Sequence, residues 1–282
     1  MTENERFIQA GVIGWPVSHS LSPRLHGYWL KEHGINGVYE PLPVPPETLR
    51  LFLLKLASQE FAGVNITVPH KEAAVAHMDT VDDNVRRIGA VNTVVVQEGK
   101  LYGGNTDGFG FMENLKGGAP DWAADQGPVT VLGAGGAARA VVVALLDAGV
   151  SELRLVNRTK ERAERLAKEI GGAITVVEWD KRASALEEIG LLVNTTTLGM
   201  TGKDPLDLDL VALPESAVVT DIVYTPLTTP LLAAAGGRGN PTVDGLGMLL
   251  HQARPGFFFW FGVKPEVTDA LRTFILEGLE PC

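Results

Sequence analysis

The stretch VTVLGAGGAAR, residues 129–139, places an apolar strand directly before a glycine-rich turn and a helix of small residues. A dinucleotide pyrophosphate requires this order, because the N-terminal N–H groups of such a helix can face an anion. Gly133 permits the tight turn, Gly135 lets the backbone approach phosphate groups, and Ala138 lets the helix pack against its strand. The stretch therefore predicts a Rossmann-like dinucleotide-binding domain.

The end of the following strand distinguishes NAD from NADP. It reads Asn157-Arg158-Thr159, where a site for NAD would place a carboxylate for the ribose 2′-hydroxyl. Arg158 and Arg162 can instead form charge-assisted bonds to a 2′-phosphate. The alternative is a solvated arginine at a helix start, which the helix dipole disfavours. The expected cofactor is therefore NADP(H).

Length and charge indicate a two-domain enzyme with a small-molecule substrate. The 282 residues are 45% hydrophobic, enough to bury two cores. The net charge of −10 disfavours nucleic acid, and no apolar run approaches the ~20 residues of a membrane-spanning helix. Residues 1–10 lack the basic and apolar regions of a signal peptide, so we expect a cytoplasmic protein.

Cysteine and histidine usage argues against disulfides and metals. Cys282 is the only cysteine, which excludes an internal disulfide and a thiolate metal cage. The six histidines include no pair at i,i+4 spacing and no HExxH motif. We therefore expect no metal site.

Strands alternate with helical patterns along the chain, which predicts an α/β fold with mostly parallel sheets. In the first part we expect strands at 9–14, 37–42 and 63–67, and helices at 23–33, 46–57 and 71–77. A hairpin of 90–97 and 100–103, joined at Glu98-Gly99, is the one antiparallel piece expected. In the second part we expect strands at 174–177, 191–194 and 218–222, then helices at 246–261 and from about Pro265.

These elements predict two domains. The N-terminal domain spans residues 1–115 and is completed by the C-terminal helices in 241–282, which pack back on it. The Rossmann-like domain spans 116–240. A glycine-rich polar stretch from Lys116 to Gln126 separates the two.

Three motifs in order resemble the shikimate dehydrogenase family, and the similarity extends over nearly the whole chain. They are GWPVSHSLSP at 14–23, NITVPHK at 65–71 and GNTDG at 104–108. Further matches are AVNT at 90–93, NTTTLGM at 194–200, DIVYTP at 221–226 and GMLLHQA at 247–253. Departures are small: Gly27 replaces a common asparagine, and residues 195–198 replace a common Ala-Thr-Ser-Ser.

The resemblance implies an NADP-dependent oxidoreductase acting on a CH–OH group. The reaction would be the reversible reduction of 3-dehydroshikimate to shikimate, within chorismate and aromatic amino acid biosynthesis. The N-terminal domain would then bind the substrate and carry the catalytic residues.

Ketone reduction needs a proton donor as well as a hydride. Lys71 follows a predicted strand at the carboxyl end of the sheet, where such folds bind ligands, and its ammonium group is a natural donor. Asp107 can orient that ammonium group. From the residues alone Lys71 would be a surface lysine, and only the motif assigns it to catalysis.

A group of hydroxyl and amide side chains is expected to bind the substrate. Ser20 and Ser22 precede or begin a helix, so they serve either as caps or as ligands, and the resemblance assigns them to the substrate carboxylate. It also assigns residues to the ring hydroxyls: Asn65, Thr67, Asn92, Asp107 and Gln252. Tyr224 either closes the pocket or is a partly buried core tyrosine.

The cofactor is expected to contact the turns that follow the strands of the second domain. The predicted residues are Gly133, Gly135, Gly136, Ala137, Asn157, Arg158, Thr159, Arg162, Thr195, Gly199, Met200, Ile222 and Gly245.

Two alternatives stay open at this point. One is an NAD-using quinate/shikimate dehydrogenase, which the missing acid near Arg158 disfavours. The other is a non-catalytic ligand sensor on the same fold, which the presence of Lys71 and Asp107 disfavours. The sequence leaves the oligomeric state open, with a homodimer possible.

Overall fold

The computed structural model describes residues 7–58 and 60–279, and within them the chain divides into two compact units. The first unit contains the described residues up to Thr106 and those from Leu250 onward. The second contains Asp107–Leu249. The domain boundaries predicted from the sequence lie near residues 115 and 240. Cys282 lies outside the described residues.

The first unit is built on a six-stranded sheet with the order β2-β1-β3-β5-β6-β4. Its strands are β1 (Ile8–Gly14), β2 (Gly37–Pro43), β3 (Phe61–Ile66), β4 (Thr80–Val81), β5 (Thr93–Gln97) and β6 (Lys100–Gly104). β5 runs antiparallel to β3 and β6, whereas the other neighbouring strands are parallel. The mostly parallel sheet is therefore confirmed. At the β5–β6 turn, Glu98 and Gly99 have φ values of 52° and 73°, as a tight hairpin turn demands.

Three helices follow these strands in the first part of the chain. They are α1 (Ser22–Glu32), α2 (Leu49–Ser58) and α3 (Asp83–Ile88). The helix expected at 71–77 is wrong in its first two residues, because a turn occupies them and only Ala73–His77 forms a 3₁₀ helix. The expected hairpin also begins late, since β5 starts at Thr93 rather than at 90.

The second unit has a parallel six-stranded sheet with the order β12-β11-β10-β7-β8-β9. Its strands are β7 (Val129–Leu132), β8 (Leu153–Asn157), β9 (Ile174–Glu178), β10 (Leu191–Asn194), β11 (Val218–Asp221) and β12 (Thr242–Val243). Its helices are α4 (Asp107–Gly118), α5 (Gly136–Asp147), α6 (Lys160–Ile170) and α7 (Pro230–Gly237). Numbered from β7, this order is the 3-2-1-4-5-6 of dinucleotide-binding sheets, with its switch point between β7 and β10.

Apolar side chains cover both faces of this second sheet. Val131 and Leu191 belong to one core cluster, and their chain neighbours Leu132 and Leu192 belong to another. Successive residues of a strand point to opposite faces, so a continuous apolar run buries both. This explains why these strands read as unbroken apolar segments.

The chain ends with α8 (Leu246–Phe261) and α9 (Asp269–Glu277), and α8 begins in the second unit and ends in the first. Trp260 donates its Nε1–H to the carbonyl of Val94 in β5 at 3.0 Å. Gly63 in β3 is needed at this contact, because a Cβ there would collide with the Val94 carbonyl and the Trp260 ring. Among the helices of residues 7–58 and 60–279, none is long and apolar enough to cross a membrane.

His26 of α1 is an unusual member of the first unit's core. It is fully buried, and neither ring nitrogen has a hydrogen-bond partner among the residues that the structure describes. Its neighbours are aromatic: Trp29, Tyr39, Phe257 and Trp260. Burial lowers the pKa of His26 from 6.5 to about 3, so the ring is neutral in the folded protein.

We expect His26 to make the fold sensitive to acid. Its pKa is lower in the folded state, so the unfolded chain binds the proton first and stability is lost as the pH falls below about 6.5. The loss should approach ~1.4 kcal/mol per pH unit, or about 2 kcal/mol at pH 5. Urea unfolding of His26→Phe between pH 7.5 and 5 should show a shallower dependence than wild type. His19→Phe, at an exposed position, is the control, and identical slopes for wild type and His26→Phe would refute the expectation.

Candidate active site

Asn65, near the end of β3, is held by three internal hydrogen bonds. Its Nδ2 donates to the carbonyl of Asn92 at 3.0 Å and to Oγ1 of Thr93 at 3.2 Å. Its Oδ1 accepts from the hydroxyl of Tyr39 at 2.6 Å. Both N–H groups are thereby used, so Asn65 can offer a ligand only the remaining lone pair of Oδ1. It is suited to accept a hydrogen bond from a hydroxyl group.

Asn92 joins three segments of the first unit. Its Oδ1 accepts from the backbone N–H of Thr106 at 2.8 Å and from the hydroxyl of Thr93 at 2.9 Å. Its Nδ2 donates to Oγ1 of Thr106 at 2.9 Å and to Oε1 of Gln252 at 3.3 Å. Thr106 in turn donates its hydroxyl to the carbonyl of Gln252 at 2.8 Å. The predicted residues Asn92 and Gln252 are therefore brought together, with Thr106 between them.

Tyr39 in β2 is a residue that the sequence analysis missed. Its ring is stacked on His26 at a centroid distance of 3.8 Å, and its hydroxyl bonds Ser22 as well as Asn65. Burial raises the pKa of Tyr39 well above its usual value, so the hydroxyl stays protonated. Tyr39 thus connects Ser22 with Asn65. The only signal for it is that a buried tyrosine hydroxyl needs a polar partner.

Ser20 and Ser22 lie at the start of α1. Ser20 is half-buried, and its Oγ accepts the backbone N–H of Ser22 at 3.3 Å. The N-cap residue is Leu21, which makes no side-chain cap bond. Ser20 therefore satisfies one N–H group at this helix start, and Ser22 lies beside the hydroxyl of Tyr39.

Thr67 and Lys71 follow β3. The N–H of Thr67 donates to the carbonyl of Ile13 at 2.9 Å, and the carbonyl of Lys71 accepts from Val91 at 2.8 Å. A Cβ on Gly14 would lie 2.5 Å from Cγ2 of Thr67, so only glycine permits the end of β1 to pass this close. Backbone contacts therefore hold the segment that presents Thr67 and the half-buried Lys71.

The remaining two residues predicted to act on the substrate belong to the second unit. Asp107 begins α4 and is 3% exposed. Tyr224 follows β11, and burial raises its pKa. All the others lie in the first unit.

The turn after β7 has the shape of an anion cradle. Gly133 has a φ of 110°, and a Cβ there would lie 2.5 Å from Oγ1 of Thr195. Gly135 precedes α5 without a side-chain cap, and a Cβ at Gly135 would meet no atom within 4 Å. The N–H groups of Gly136 and Ala137 belong to the first turn of α5, where backbone N–H groups have no partner within the helix, and such a helix start fits the pyrophosphate of NADP.

Arg158 lies in the turn between β8 and α6. Its side chain is exposed and forms no hydrogen bond or ion pair within the part of the chain that the structure describes. The side-chain amide of Asn157 donates to the carbonyl of Thr159 at 2.7 Å and so shapes this turn. Arg162 lies in the first turn of α6 and is also exposed. The guanidinium of Arg158, which has no partner among the described residues, fits the 2′-phosphate of NADP.

The loops after β10 and β11 carry the other predicted cofactor residues. Thr195 donates its hydroxyl to the carbonyl of Leu132 at 2.6 Å, beside the Gly133 turn. Gly199 has a φ of 86°, and Met200 follows it. A Cβ on Gly245 would lie 2.5 Å from the carbonyl carbon of Ile222, so glycine is required for this approach. The second unit thus brings Gly133 to Thr195 and Ile222 to Gly245.

Three family models match the chain. One described as the shikimate dehydrogenase substrate binding domain matches residues 12–94. One described as shikimate / quinate 5-dehydrogenase matches residues 121–200, and one described as the shikimate 5′-dehydrogenase C-terminal domain matches residues 245–272.

Relatives and solved structures agree with these matches. The chain is 62% identical over 269 residues to the shikimate dehydrogenase (NADP(+)) of Paramagnetospirillum magneticum, covering 95% of this chain and 98% of that protein. The Thermus thermophilus shikimate 5-dehydrogenase in complex with NADP(H) and shikimate has a TM-score of 0.83 and 40% identity, covering 96% and 98%. The Corynebacterium glutamicum quinate dehydrogenase in complex with NAD has a TM-score of 0.88 and 31% identity, covering 96% and 100%.

Two glycine variants should separate the role of the cradle from that of the fold. In Gly133→Ala the new Cβ meets Thr195 in a left-handed backbone, so stability should fall by about 1–2 kcal/mol and NADP⁺ binding should weaken. In Gly135→Ala the Cβ enters open space where we expect the phosphate to bind, so binding should weaken while the melting temperature stays within a degree or so of wild type. Calorimetric titration with NADP⁺ and thermal melting would measure both. Unchanged NADP⁺ affinity in Gly135→Ala would contradict the cradle.

Proposed function

The chain belongs to the shikimate dehydrogenase family, and from this premise we propose how its residues carry out the reversible NADPH-dependent reduction of 3-dehydroshikimate to shikimate. The protein is an NADP-dependent oxidoreductase that acts on a CH–OH group. The observation that carries the residue assignments is the polar cluster of the first unit, in which Ser22, Asn65, Asn92 and Gln252 are linked by hydrogen bonds. The first unit is the proposed substrate domain, and the second is the proposed NADP domain.

The substrate is a small carboxylic acid with several ring hydroxyl groups, and the cluster suits it. Ser20 and Ser22 are proposed to donate to the carboxylate. Thr67, Asp107 and Gln252 are proposed to bind ring hydroxyls, Asn65 accepts from one of them, and Asn92 is proposed to bind one in exchange for its 3.3 Å bond to Gln252. An analogue that lacks a hydroxyl would leave one of these polar groups unpaired, which costs roughly 1–3 kcal/mol per buried group. Tyr224 is also proposed to contact the substrate.

Reduction of the ring ketone needs a hydride on carbon and a proton on oxygen. NADPH supplies the hydride when bound. The ammonium group of Lys71 is proposed to donate the proton to the developing alkoxide, and in the reverse direction its neutral amine takes the proton from the hydroxyl. Asp107 is proposed to orient the ammonium group of Lys71. Its carboxylate is also proposed to accept a hydrogen bond from a ring hydroxyl of the substrate. The proton removed from Lys71 is replaced from solvent before the next reduction.

Absorbance at 340 nm tests this function directly. The purified enzyme should oxidise NADPH in the presence of 3-dehydroshikimate and reduce NADP⁺ in the presence of shikimate. Quinate and NAD⁺ in place of shikimate and NADP⁺ should react far more slowly. Equal or faster turnover of quinate with NAD⁺ would favour the quinate dehydrogenase alternative.

Cellular location and assembly stay predictions. We propose a cytoplasmic enzyme, because NADPH is regenerated inside cells. A homodimer is tested by sedimentation equilibrium of the full chain, for which a single species of 30.2 kDa would indicate a monomer.

Arg158 should determine the preference for NADP. Arg158→Ala removes a charge-assisted bond to the 2′-phosphate, worth roughly 1.5–3 kcal/mol, so affinity for NADP⁺ should fall about 10- to 100-fold. Affinity for NAD⁺ should hardly change. Arg165→Ala is the matched control, because Arg165 is exposed on the same helix α6 and has no partner within the described residues. Equal losses for NAD⁺ and NADP⁺ would show that Arg158 does not read the phosphate.

Lys71 should matter for turnover more than for binding. Lys71→Ala should lower kcat by roughly 10²- to 10⁴-fold, the usual contribution of a proton-transfer group, with a smaller change in the KM for shikimate. Lys55→Ala, on the exposed face of α2, removes the same group elsewhere in the first unit. Steady-state kinetics and thermal melting would be measured together. A folded Lys71→Ala enzyme with kcat within threefold of wild type would remove Lys71 from the mechanism.

A further inference from the structure

Two buried polar residues face each other at the carboxyl ends of β10 and β11. Asn194 and Asp221 are paired in the strand register, and both are 0% exposed. Nδ2 of Asn194 donates to Oδ1 of Asp221 at 3.0 Å. Burial raises the pKa of Asp221, so keeping a carboxylate at this position costs free energy that an apolar residue would not cost. None of the sequence motifs assigns Asp221 a role in the reaction.

Each of the two residues holds the loop that follows its own strand. Oδ1 of Asn194 accepts from the N–H and the hydroxyl of Thr196 at 3.0 and 2.7 Å. Oδ1 of Asp221 accepts from the N–H of Val223 at 3.0 Å, and its Oδ2 accepts from the hydroxyl of Thr229 at 2.8 Å. Asp221 therefore receives three donors, counting Asn194, and offers acceptors on both oxygens.

Backbone bonds join the 222–229 loop to the end of β10 and to the 195–204 loop. Ile222 donates its N–H to the carbonyl of Asn194 at 3.0 Å, and Thr201 donates to the carbonyl of Thr225 at 2.8 Å. Gly245 supports the second loop from another side through its close approach to Ile222. The two loops thus form one connected platform with the Asn194–Asp221 pair at its base.

The platform meets the Gly133 turn at Thr195, whose hydroxyl donates to the carbonyl of Leu132 at 2.6 Å, whereas the bonds that Asp221 accepts come from Asn194, Val223 and Thr229. The Gly133 turn follows β7 and Arg158 follows β8, whereas the platform follows β10 and β11 on the other side of the switch point. A dinucleotide binds across such a switch point, so its adenosine half lies on one side and its nicotinamide half on the other. The platform carries Gly199, Met200 and Ile222, which the sequence predicts to bind the cofactor, and Tyr224, which is proposed to contact the substrate.

We propose that Asp221 is a positioning residue: it holds the 195–204 and 222–229 loops as one platform for the nicotinamide and thereby governs the rate of hydride transfer rather than the affinity for NADPH. This inference rests on the proposed function. Affinity is set by the phosphate contacts near Gly133 and Arg158, which do not involve Asp221. Loss of its acceptors frees Val223 and Thr229, and a displacement of about 1 Å in a reacting group can cost on the order of 100-fold in rate.

Two variants of Asp221 test the proposal by a split between kcat and binding. Asp221→Ala removes all three accepted bonds, so kcat should fall about 10- to 100-fold while the Kd for NADPH, from fluorescence titration, stays within about threefold. Asp221→Asn keeps the acceptor for Asn194 and Val223 and loses the one for Thr229, so its kcat should lie between those of Asp221→Ala and wild type. The deuterium isotope effect on kcat, with NADPH labelled at the transferred position, should rise in both variants because hydride transfer becomes rate-limiting.

Thr130→Val supplies the matched control for a purely structural loss. Thr130 is 0% exposed in β7 of the same unit, and its hydroxyl donates to the carbonyl of Ala185 at 2.6 Å, away from both loops. It should lose stability with an unchanged isotope effect. All kinetics are measured well below each variant's melting temperature, and if Asp221→Ala does not fold, Asp221→Asn decides.

Two results would overturn the proposal. One is that both Asp221 variants show the same kcat and the same isotope effect as the control Thr130→Val. The other is a parallel loss of kcat and NADPH affinity by the same factor. Absence of any 3-dehydroshikimate reduction by the wild-type enzyme would refute the proposed function instead, so the two failures are distinguishable.

Discussion

The side-chain amide of Asn92 is the interaction on which the polar site of the first unit depends. Its bonds to Thr106 and Gln252 span 14 and 160 residues of sequence, so one amide holds three distant segments. A buried amide without partners costs roughly 1–3 kcal/mol for each group left unpaired, which makes the arrangement cooperative. The second unit uses the same chemistry at Asn194. In both units a buried asparagine next to a strand holds neighbouring segments in place through the hydrogen bonds of its side-chain amide.

Much of the fold could be predicted from periodicity. The strand Leu191–Asn194 and the helix Leu246–Phe261 have the predicted bounds, because the strand is an apolar run that ends at Asn194 and the helix is a mostly apolar stretch between Gly245 and Gly262. The two-residue strands β4 and β12 were missed, since two residues carry no periodic signal. The helix α3 was missed although Asp82 caps its start and Gly89, with a φ of 70°, ends it. Its six residues are too few for a clear apolar stripe.

Site residues could be predicted where they belong to a motif that is continuous in sequence. They could not be predicted where only tertiary contacts bring a residue into the site. Asn65, Thr67 and Lys71 follow from one stretch of seven residues. Tyr39 and Thr106 were missed because their importance comes from partners on other segments of the chain. Tyr39 interacts with Asn65 and Ser22. Thr106 bonds Asn92 and Gln252. The structure also limits Asn65 to accepting a hydrogen bond, a restriction that depends on Asn92, Thr93 and Tyr39 and that no motif contains.

The bond from Trp260 to Val94 has a consequence for how the chain is made. It closes a loop of 166 residues, and that loop contains the entire second unit. During synthesis from the N-terminus, the second unit is complete before Trp260 leaves the ribosome, whereas β5 and Gly63 must wait for it. Because translation proceeds from the N-terminus, the second unit can finish folding before the first unit does. A ribosome that stalls near residue 249 would release a polypeptide with one finished half and one lacking its closing helices.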